Sequence, residues 1–260
     1  MAFLEMTYNS KALKMEVPVN VILPEKKMSD PSSGAPDQLP YKTLYLYHGL
    51  GGNHTEWIRN SNIERYAAKY GIAVVMPEVG RSWYTDTAYT AAYFTFVTKE
   101  LPDVCRSYFN GMSQRREDNL VAGLSMGGYG AVKAALACPD RFCACASLSG
   151  ALDITRRGRP YILEEFKSIF SFDLETPLEL ENSEHDIFAL ARNNRAAGIP
   201  FPKLYLWCGT EDKLIDMNRR FHSLLDSLEI EHRYEESEGK HNWGCWDRQI
   251  QIALAYLLEN

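Results

Sequence analysis

The first part of the chain alternates between apolar and polar residues. Within residues 13–23 the apolar side chains fall at every second position: Leu13, Met15, Val17, Val19 and Val21. This period of two predicts a β-strand with one buried face. Residues 24–40 are rich in Pro, Ser, Gly and charged side chains, which predicts an exposed loop.

From residue 42 to the end, short apolar runs alternate with segments of helical pattern. Strands are predicted at 42–48, 72–76, 120–123, 143–148, 204–208 and 230–235. Helices are predicted at 57–70, 91–109, 126–138, 217–228 and 246–258, the second kinked or broken at Pro102. This α/β pattern indicates a mostly parallel sheet with helices on both faces. The strands at the start are expected to form an antiparallel edge, although the pattern alone would also fit a dinucleotide-binding sheet.

The segment of residues 151–202 interrupts this alternation, because it is much longer than an ordinary connection between two strands. It contains charged helical stretches and four aromatic residues, Tyr161, Phe166, Phe170 and Phe172. Long insertions of this kind are usually lids or extra packing elements. We interpret the segment as a cap over a substrate pocket within a single domain of residues 1–260, with passive surface structure as the alternative.

Composition excludes several classes of protein. Hydrophobic residues make up 45% and charged residues 24% of the 260 residues, as in ordinary globular domains. The net charge is -6, and the short basic cluster at 156–159 lacks interleaved aromatics, so no nucleic-acid partner is expected. Neither a secretory signal nor a membrane span is visible, which predicts a cytoplasmic protein. The sequence leaves the oligomeric state open, and a homo-oligomer is one of the states it allows.

The six cysteines are expected to be free thiols, because the cytoplasm keeps cysteines reduced. They form no CxxC motif and no paired Cys/His array follows, so no structural zinc or other metal site is expected.

The strongest chemical signal is the sequence from Gly123 to Gly127, which reads G-L-S-M-G. It follows a short apolar strand and precedes an Ala-rich helix, which is the context in which G-x-S-x-G is informative. The turn presents Ser125 at the carboxyl end of the sheet, beside the N–H groups of a helix N-terminus. We predict that Ser125 is a nucleophile.

A serine nucleophile needs a base and an acid that orients the base. Among the six histidines, His241 follows the last predicted strand, so it faces the same edge of the sheet as Ser125. Asp212 follows the strand at 204–208 and is predicted to be the acid, with Glu211 as the alternative. The chain order Ser, Asp, His is that of α/β hydrolases.

Two backbone N–H groups are expected to form an oxyanion hole. One belongs to Met126, directly after the nucleophile, and the other to Leu50, in the Gly-rich loop after His48. Three aromatic residues flank these motifs and are predicted to wall the substrate pocket, with ordinary core packing as the alternative: Trp57, Trp83 and Trp243.

With these residues in place, the chain resembles the esterase D branch of the α/β hydrolases, and most of all the bacterial tributyrin esterases. The matching stretches are 47–53, 85–86, 122–130, 208–212 and 239–243. The resemblance implies an α/β-hydrolase fold and a carboxylesterase acting on acetyl to butyryl esters through an acyl-enzyme, without a metal or organic cofactor. Its partner would be a small-molecule ester.

Three alternatives stay open. S-formylglutathione hydrolases and feruloyl esterases belong to the same branch, but the former usually carry His before the nucleophile, where this chain has Leu124. A non-catalytic binding protein on the same fold is a more remote alternative, because no member of the triad is missing.

Overall fold

Eight strands form one sheet in the computed structural model, which describes residues 1–25, 39–88, 91–156 and 160–259, apart from the side chains of 160–162. The strands are β1 (Ala2–Ser10), β2 (Met15–Leu23), β3 (Thr43–Tyr47), β4 (Ala73–Pro77), β5 (Asn119–Leu124), β6 (Ala144–Leu148), β7 (Lys203–Gly209) and β8 (His232–Ser237). Their order across the sheet is β1-β2-β4-β3-β5-β6-β7-β8.

Pairing is antiparallel between β1 and β2 and between β2 and β4, and parallel from β4 to β8. The predicted mostly parallel sheet with an antiparallel N-terminal edge is therefore confirmed. Parallel pairing places the carboxyl ends of β3, β5, β6, β7 and β8 at one edge of the sheet. The loops that follow these strands can therefore meet in one place.

Helices cover both faces of the sheet. They are α1 (Glu56–Asn60), α2 (Ile63–Tyr70), α3 (Tyr93–Thr95), α4 (Leu101–Tyr108), α5 (Met126–Ala137), α6 (Pro160–Ile169), α7 (Ile187–Ala196), α8 (Ile215–Ser227) and α9 (Trp243–Leu258). One core contains α1, α2 and α9, and the other contains α4, α5, α7 and α8. Successive side chains of a strand point to opposite faces of the sheet, so each strand contributes to both cores. In β3, Tyr45 and Tyr47 face one core, and Leu44 and Leu46 face the other.

Two predicted helices are interrupted. The helix predicted at 57–70 divides into α1 and α2, because the backbone N–H of Asn62 donates to the carboxylate of Asp247 on α9. The helix predicted at 91–109 contains a π-helical turn, Phe96–Glu100, directly before α4. Pro102 lacks the N–H that would bond the carbonyl of Thr98, and the Arg141 side chain donates to that carbonyl instead, at 3.1 Å.

The insertion at 151–202 carries α6, a 3₁₀ turn at Pro177–Leu180 and α7, which packs against α5. Residues 26–38 of the predicted exposed loop and residues 157–159 of the basic cluster lie outside the described part of the chain. All six cysteines lie within it and are free thiols. Among the described residues, no helix has the length and apolarity needed to cross a bilayer. Location, oligomeric state and the absence of a nucleic-acid partner stay predictions.

Candidate active site

Ser125 lies between β5 and α5, in a turn that few residues can adopt. Its φ is 54° and its ψ -117°, outside the regions that L-residues favour. The glycines on either side are required by close packing. A Cβ on Gly123 would lie 2.3 Å from the carbonyl oxygen of Gly127, and one on Gly127 would lie 2.5 Å from that of Tyr47. The tight turn leaves the Ser125 side chain partly exposed at the carboxyl edge of the sheet.

The structure brings Ser125, His241 and Asp212 together across long sequence separations. Nε2 of His241 lies 3.0 Å from Oγ of Ser125, and Nδ1 lies 2.8 Å from Oδ2 of Asp212. A carboxylate can only accept, so the ring proton belongs on Nδ1 and the lone pair of Nε2 faces the hydroxyl. In this tautomer His241 can take the proton of Ser125.

Asp212 is held as a carboxylate by its surroundings. Burial alone would raise the pKa of Asp212, but it is outweighed by the hydrogen bond and positive charge of His241 and by the backbone N–H of Leu214. Together they keep the pKa below its usual value. The alternative acid, Glu211, is exposed, and its carboxylate forms an ion pair with Lys240 at 3.2 Å and not with His241.

An aromatic group that the sequence motifs do not reveal supports the His241 ring. Trp246, in the first turn of α9, packs edge-on against it, with 4.8 Å between ring centroids. Trp243 packs against Trp246, and Trp57 packs against Trp243, at 5.4 and 5.1 Å. The position of Trp246, one helical turn after the histidine loop, is the only sequence signal for this role.

The Gly-rich loop after β3 is fixed by His48. Its Nδ1 lies 2.8 Å from the carbonyl oxygen of Gly49, and its Nε2 accepts from the N–H of Val79 at 3.2 Å. Burial lowers the pKa of His48, which keeps the ring neutral and lets one nitrogen donate while the other accepts. The next turn is closed by the N–H of Gly52, which donates to the Gly49 carbonyl at 3.0 Å.

This loop lies directly against the nucleophile. A Cβ built on Gly49 would be 3.5 Å from Cβ of Ser125. Leu50, the next residue, is partly buried, and its N–H belongs to the same turn. Met126 begins α5, and the first four N–H groups of a helix have no partner within the helix. Met126 directly follows Ser125, and Leu50 follows Gly49, which lies against it; their role as oxyanion donors stays a prediction.

Two large cavities in the described part of the chain lie away from the side chains of the triad. Two cavities, of about 590 and 620 Å³, both include Lys203, the first residue of β7. They therefore lie towards the amino end of that strand, whereas Ser125, Asp212 and His241 follow the carboxyl ends of β5, β7 and β8. The alignment of side chains, rather than volume, locates the candidate active site.

Comparison with known proteins matches the family model described as "Putative esterase" to residues 10–257. The chain belongs to this esterase family. It is 33% identical to an acetyl esterase of Caldicellulosiruptor saccharolyticus, over 99% of this chain and 98% of that protein. The esterase is therefore a carboxylic ester hydrolase.

Solved structures agree with this assignment. A fluorophosphonate-binding serine hydrolase of Staphylococcus aureus, with substrate bound, is 31% identical with a TM-score of 0.88, over 100% of the esterase and 99% of that chain. An S-formylglutathione hydrolase of the same organism is 31% identical with a TM-score of 0.83, over 99% of each chain. The predicted α/β-hydrolase fold is confirmed, and a ferulic acid esterase at 20% identity and a TM-score of 0.76 shares that fold.

Two of the three predicted pocket tryptophans lie in the core of the esterase. Trp57 has no exposed surface, and its Nε1–H donates to the carbonyl of Tyr47 at 3.0 Å. Trp83 is equally buried, and its Nε1–H donates to Glu165 of α6 at 2.9 Å. Packing therefore covers both side chains in this structure, and their contact with substrate stays a prediction. Trp243 is only partly buried and stays a candidate.

A buried lysine joins α5 of the esterase to the insertion. Nζ of Lys133 donates to Oγ1 of Thr85 at 2.8 Å and lies 3.1 Å from Nδ1 of His185. Tyr129 adds a second link, because its hydroxyl donates to the His185 carbonyl at 2.8 Å. Burial lowers the pKa of Lys133 to about 7, and burial together with the Lys133 charge lowers that of His185 to about 3.

We expect this lysine to make stability depend on pH. The unfolded chain holds the Lys133 proton up to its ordinary pKa of 10.5, whereas the folded protein releases it near 7. The destabilisation by the buried cation is full below pH 7 and fades as pH rises towards 10.5. The free energy of unfolding of the wild type, relative to Lys133→Met, should therefore rise by up to about 1.4 kcal/mol per pH unit in this window.

Urea unfolding of both proteins between pH 7 and 9 measures this difference. Lys11→Met, at an exposed lysine, serves as the control. A difference between wild type and Lys133→Met that stays constant over this range would show that Lys133 keeps its proton in the folded state.

Proposed function

We propose that this esterase hydrolyses short-acyl esters, acetyl to butyryl, through an acyl-enzyme on Ser125. The observation that carries the proposal is the unbroken chain of hydrogen bonds from Asp212 through His241 to Ser125. Ser125 and His241 are partly exposed while Asp212 is buried, so a substrate can reach the nucleophile and the base but not the acid.

In the first half of the proposed cycle, Oγ of Ser125 attacks the ester carbonyl while Nε2 of His241 takes its proton. The resulting imidazolium is stabilised by the Asp212 carboxylate. The backbone N–H groups of Met126 and Leu50 donate to the oxyanion, a kind of interaction worth about 10²–10³ in kcat for one donor. The C–O bond then breaks, and the alcohol leaves with the proton from His241.

Water completes the cycle. His241, neutral again, takes a proton from water as the water oxygen attacks the acyl carbonyl. The second tetrahedral intermediate collapses, the acid leaves, and the proton returns to Oγ of Ser125. These side chains and water suffice for every step.

A preference for short acyl chains is supported by the acetyl esterase relative, and the insertion is anchored beside residues 81–83. Phe166 of α6 packs against Trp83 with 5.2 Å between centroids, and Arg81 pairs with Glu165 at 2.6 Å. We propose that residues 151–202 cap the acyl side of the site and restrict its length. These features fit the tributyrin-esterase type within the esterase D branch.

S-formylglutathione hydrolysis is the second candidate. It is favoured by the likeness to the Staphylococcus aureus enzyme at 31% identity, and the same triad would cleave a thioester. Leu124, in place of the histidine that usually precedes the nucleophile in those enzymes, argues against it.

Initial rates on five substrates separate these functions: p-nitrophenyl acetate, butyrate, octanoate and ferulate, and S-formylglutathione. We expect kcat/KM to be highest for acetate or butyrate and to fall for octanoate. A strong preference for S-formylglutathione would retain the triad and move the function to thioester hydrolysis. Preference for the ferulate or the octanoate would overturn the short-acyl assignment.

A further inference from the structure

A second group of chemically active side chains lies away from the triad, where α8 packs beside the edge strand β8. His222 and Asp226 are four residues apart on α8 and share one helix face, and His232 begins β8. One ligand atom from each residue lies within 4.8 Å of the others. The sequence predicts no metal site, because these residues match no paired Cys/His motif; the fold brings them together.

His232 is prepared to act as a ligand. Its side chain is 3% exposed, and its Nδ1 lies 2.7 Å from the carbonyl oxygen of Ile230. Since a carbonyl only accepts, the proton belongs on Nδ1 and the lone pair belongs on Nε2. That nitrogen points at Nδ1 of His222, 2.8 Å away. A backbone carbonyl that fixes the tautomer in this way is typical of metal-binding histidines.

Asp226 faces both rings. Its Oδ1 lies 3.8 Å from Nε2 of His232, and its Oδ2 lies 3.4 Å from Nε2 of His222. If the proton of His222 moves from Nδ1 to Nε2, the N–H at Nε2 can donate a hydrogen bond to Asp226. The lone pair at Nδ1 is then available to a metal ion. Tyr234 stacks on the His222 ring at 4.3 Å between centroids and holds its plane.

We propose that His222, Asp226 and His232 bind a divalent transition-metal ion, with Zn²⁺ as the representative probe. Two imidazoles and one carboxylate suit Zn²⁺ and its neighbours, whereas Ca²⁺ and Mg²⁺ require more oxygen ligands. Tetrahedral coordination places ligand atoms about 3.3 Å apart. The present separations of 2.8 and 3.8 Å bracket that value, so small side-chain shifts are enough. Asp226 is 62% exposed, which lets water take the fourth position.

Such an ion would fasten α8 to β8. The carboxyl end of β8 leads into the loop that carries His241, so the ion would brace the strand that positions the base. It would not touch the reacting atoms. We therefore expect bound metal to raise thermal stability, because a ligand that binds only the folded state stabilises it.

Calorimetric titration of Zn²⁺ into chelator-treated protein tests the site. The wild type should bind one equivalent at the cluster. Asp226→Ala and His222→Gln should weaken that binding by about 10–100-fold or more. Asp216→Ala is the matched control, since Asp216 is an exposed carboxylate on the same helix, 80% exposed, outside the cluster. Zn²⁺ should likewise raise the unfolding temperature of the wild type and Asp216→Ala more than that of Asp226→Ala and His222→Gln.

Two outcomes would overturn the proposal. One is that the wild type binds no Zn²⁺. The other is that Asp226→Ala and His222→Gln bind as tightly as the wild type, which would place the ion elsewhere, for example between His241 and Asp212. Because Asp226 is mostly exposed, its replacement is expected to leave the fold intact, and circular dichroism of the metal-free protein verifies this.

Discussion

Ser125→Ala is expected to lower kcat for short esters by about 10⁶-fold, the size of effect seen when a triad nucleophile is removed. Alanine has no oxygen to attack the carbonyl, so the acyl-enzyme cannot form. The oxyanion donors at Leu50 and Met126 would remain, and a residual rate about 10³–10⁴ above that in water is expected. KM should change little, because the side chain removed is small.

Steady-state kinetics on p-nitrophenyl acetate, together with intact-protein mass after a fluorophosphonate probe, measures this effect. The wild type should gain one adduct, and Ser125→Ala none. Ser227→Ala, at an exposed serine of α8, is the matched control and should behave like the wild type. A Ser125→Ala enzyme that retains activity within tenfold of the wild type would refute the nucleophile assignment.

Asp212→Asn is expected to lower kcat by about 10⁴-fold. The amide can donate to Nδ1 of His241, which would place the ring proton on Nε2, facing Ser125. The imidazole would then be unable to accept the serine proton, and no carboxylate would stabilise the imidazolium. Because Asn has nearly the same volume, the buried loop after β7 should keep its shape.

Glu211→Gln is the matched control for this change, since it removes the neighbouring carboxylate, whose partner is Lys240 rather than His241. Its kcat should stay close to that of the wild type. Circular dichroism separates a tautomer effect from unfolding, since the spectrum of Asp212→Asn should match that of the wild type while its activity stays low. If Glu211→Gln lost as much activity as Asp212→Asn, the acid would have to be reassigned.

The parts of the molecule that follow from local pattern were predictable from the sequence. Central parallel strands are buried on both faces, so β3 to β7 each appear as a short apolar run, whereas the edge strand β8 is polar; all six strands predicted after residue 42 are present. Ser125, Asp212 and His241 each follow a predicted strand. Because parallel strands share one carboxyl edge, their convergence could be predicted without knowing any distance.

Features that depend on distant contacts could not be predicted in this way. Nothing near Asn62 shows that Asp247, on the last helix, bonds its backbone and divides the helix. Trp83 looked available to substrate, but α6 covers it with Phe166 and Glu165. The approach of His222 to His232 likewise arises only when α8 packs against β8. In each case the deciding partner lies outside the local pattern.

The position of His241 after the last strand also bears on how the protein matures during translation. The nucleophile and its turn are synthesised 116 residues before the base that activates it. Among the described strands β8 pairs with β7 alone, so the loop carrying His241 reaches Ser125 only when β8 has paired with β7. A nascent chain that has folded around β3–β5 therefore presents a serine without its base. Esterase turnover is therefore expected only after β8 has joined the sheet and brought His241 to Ser125.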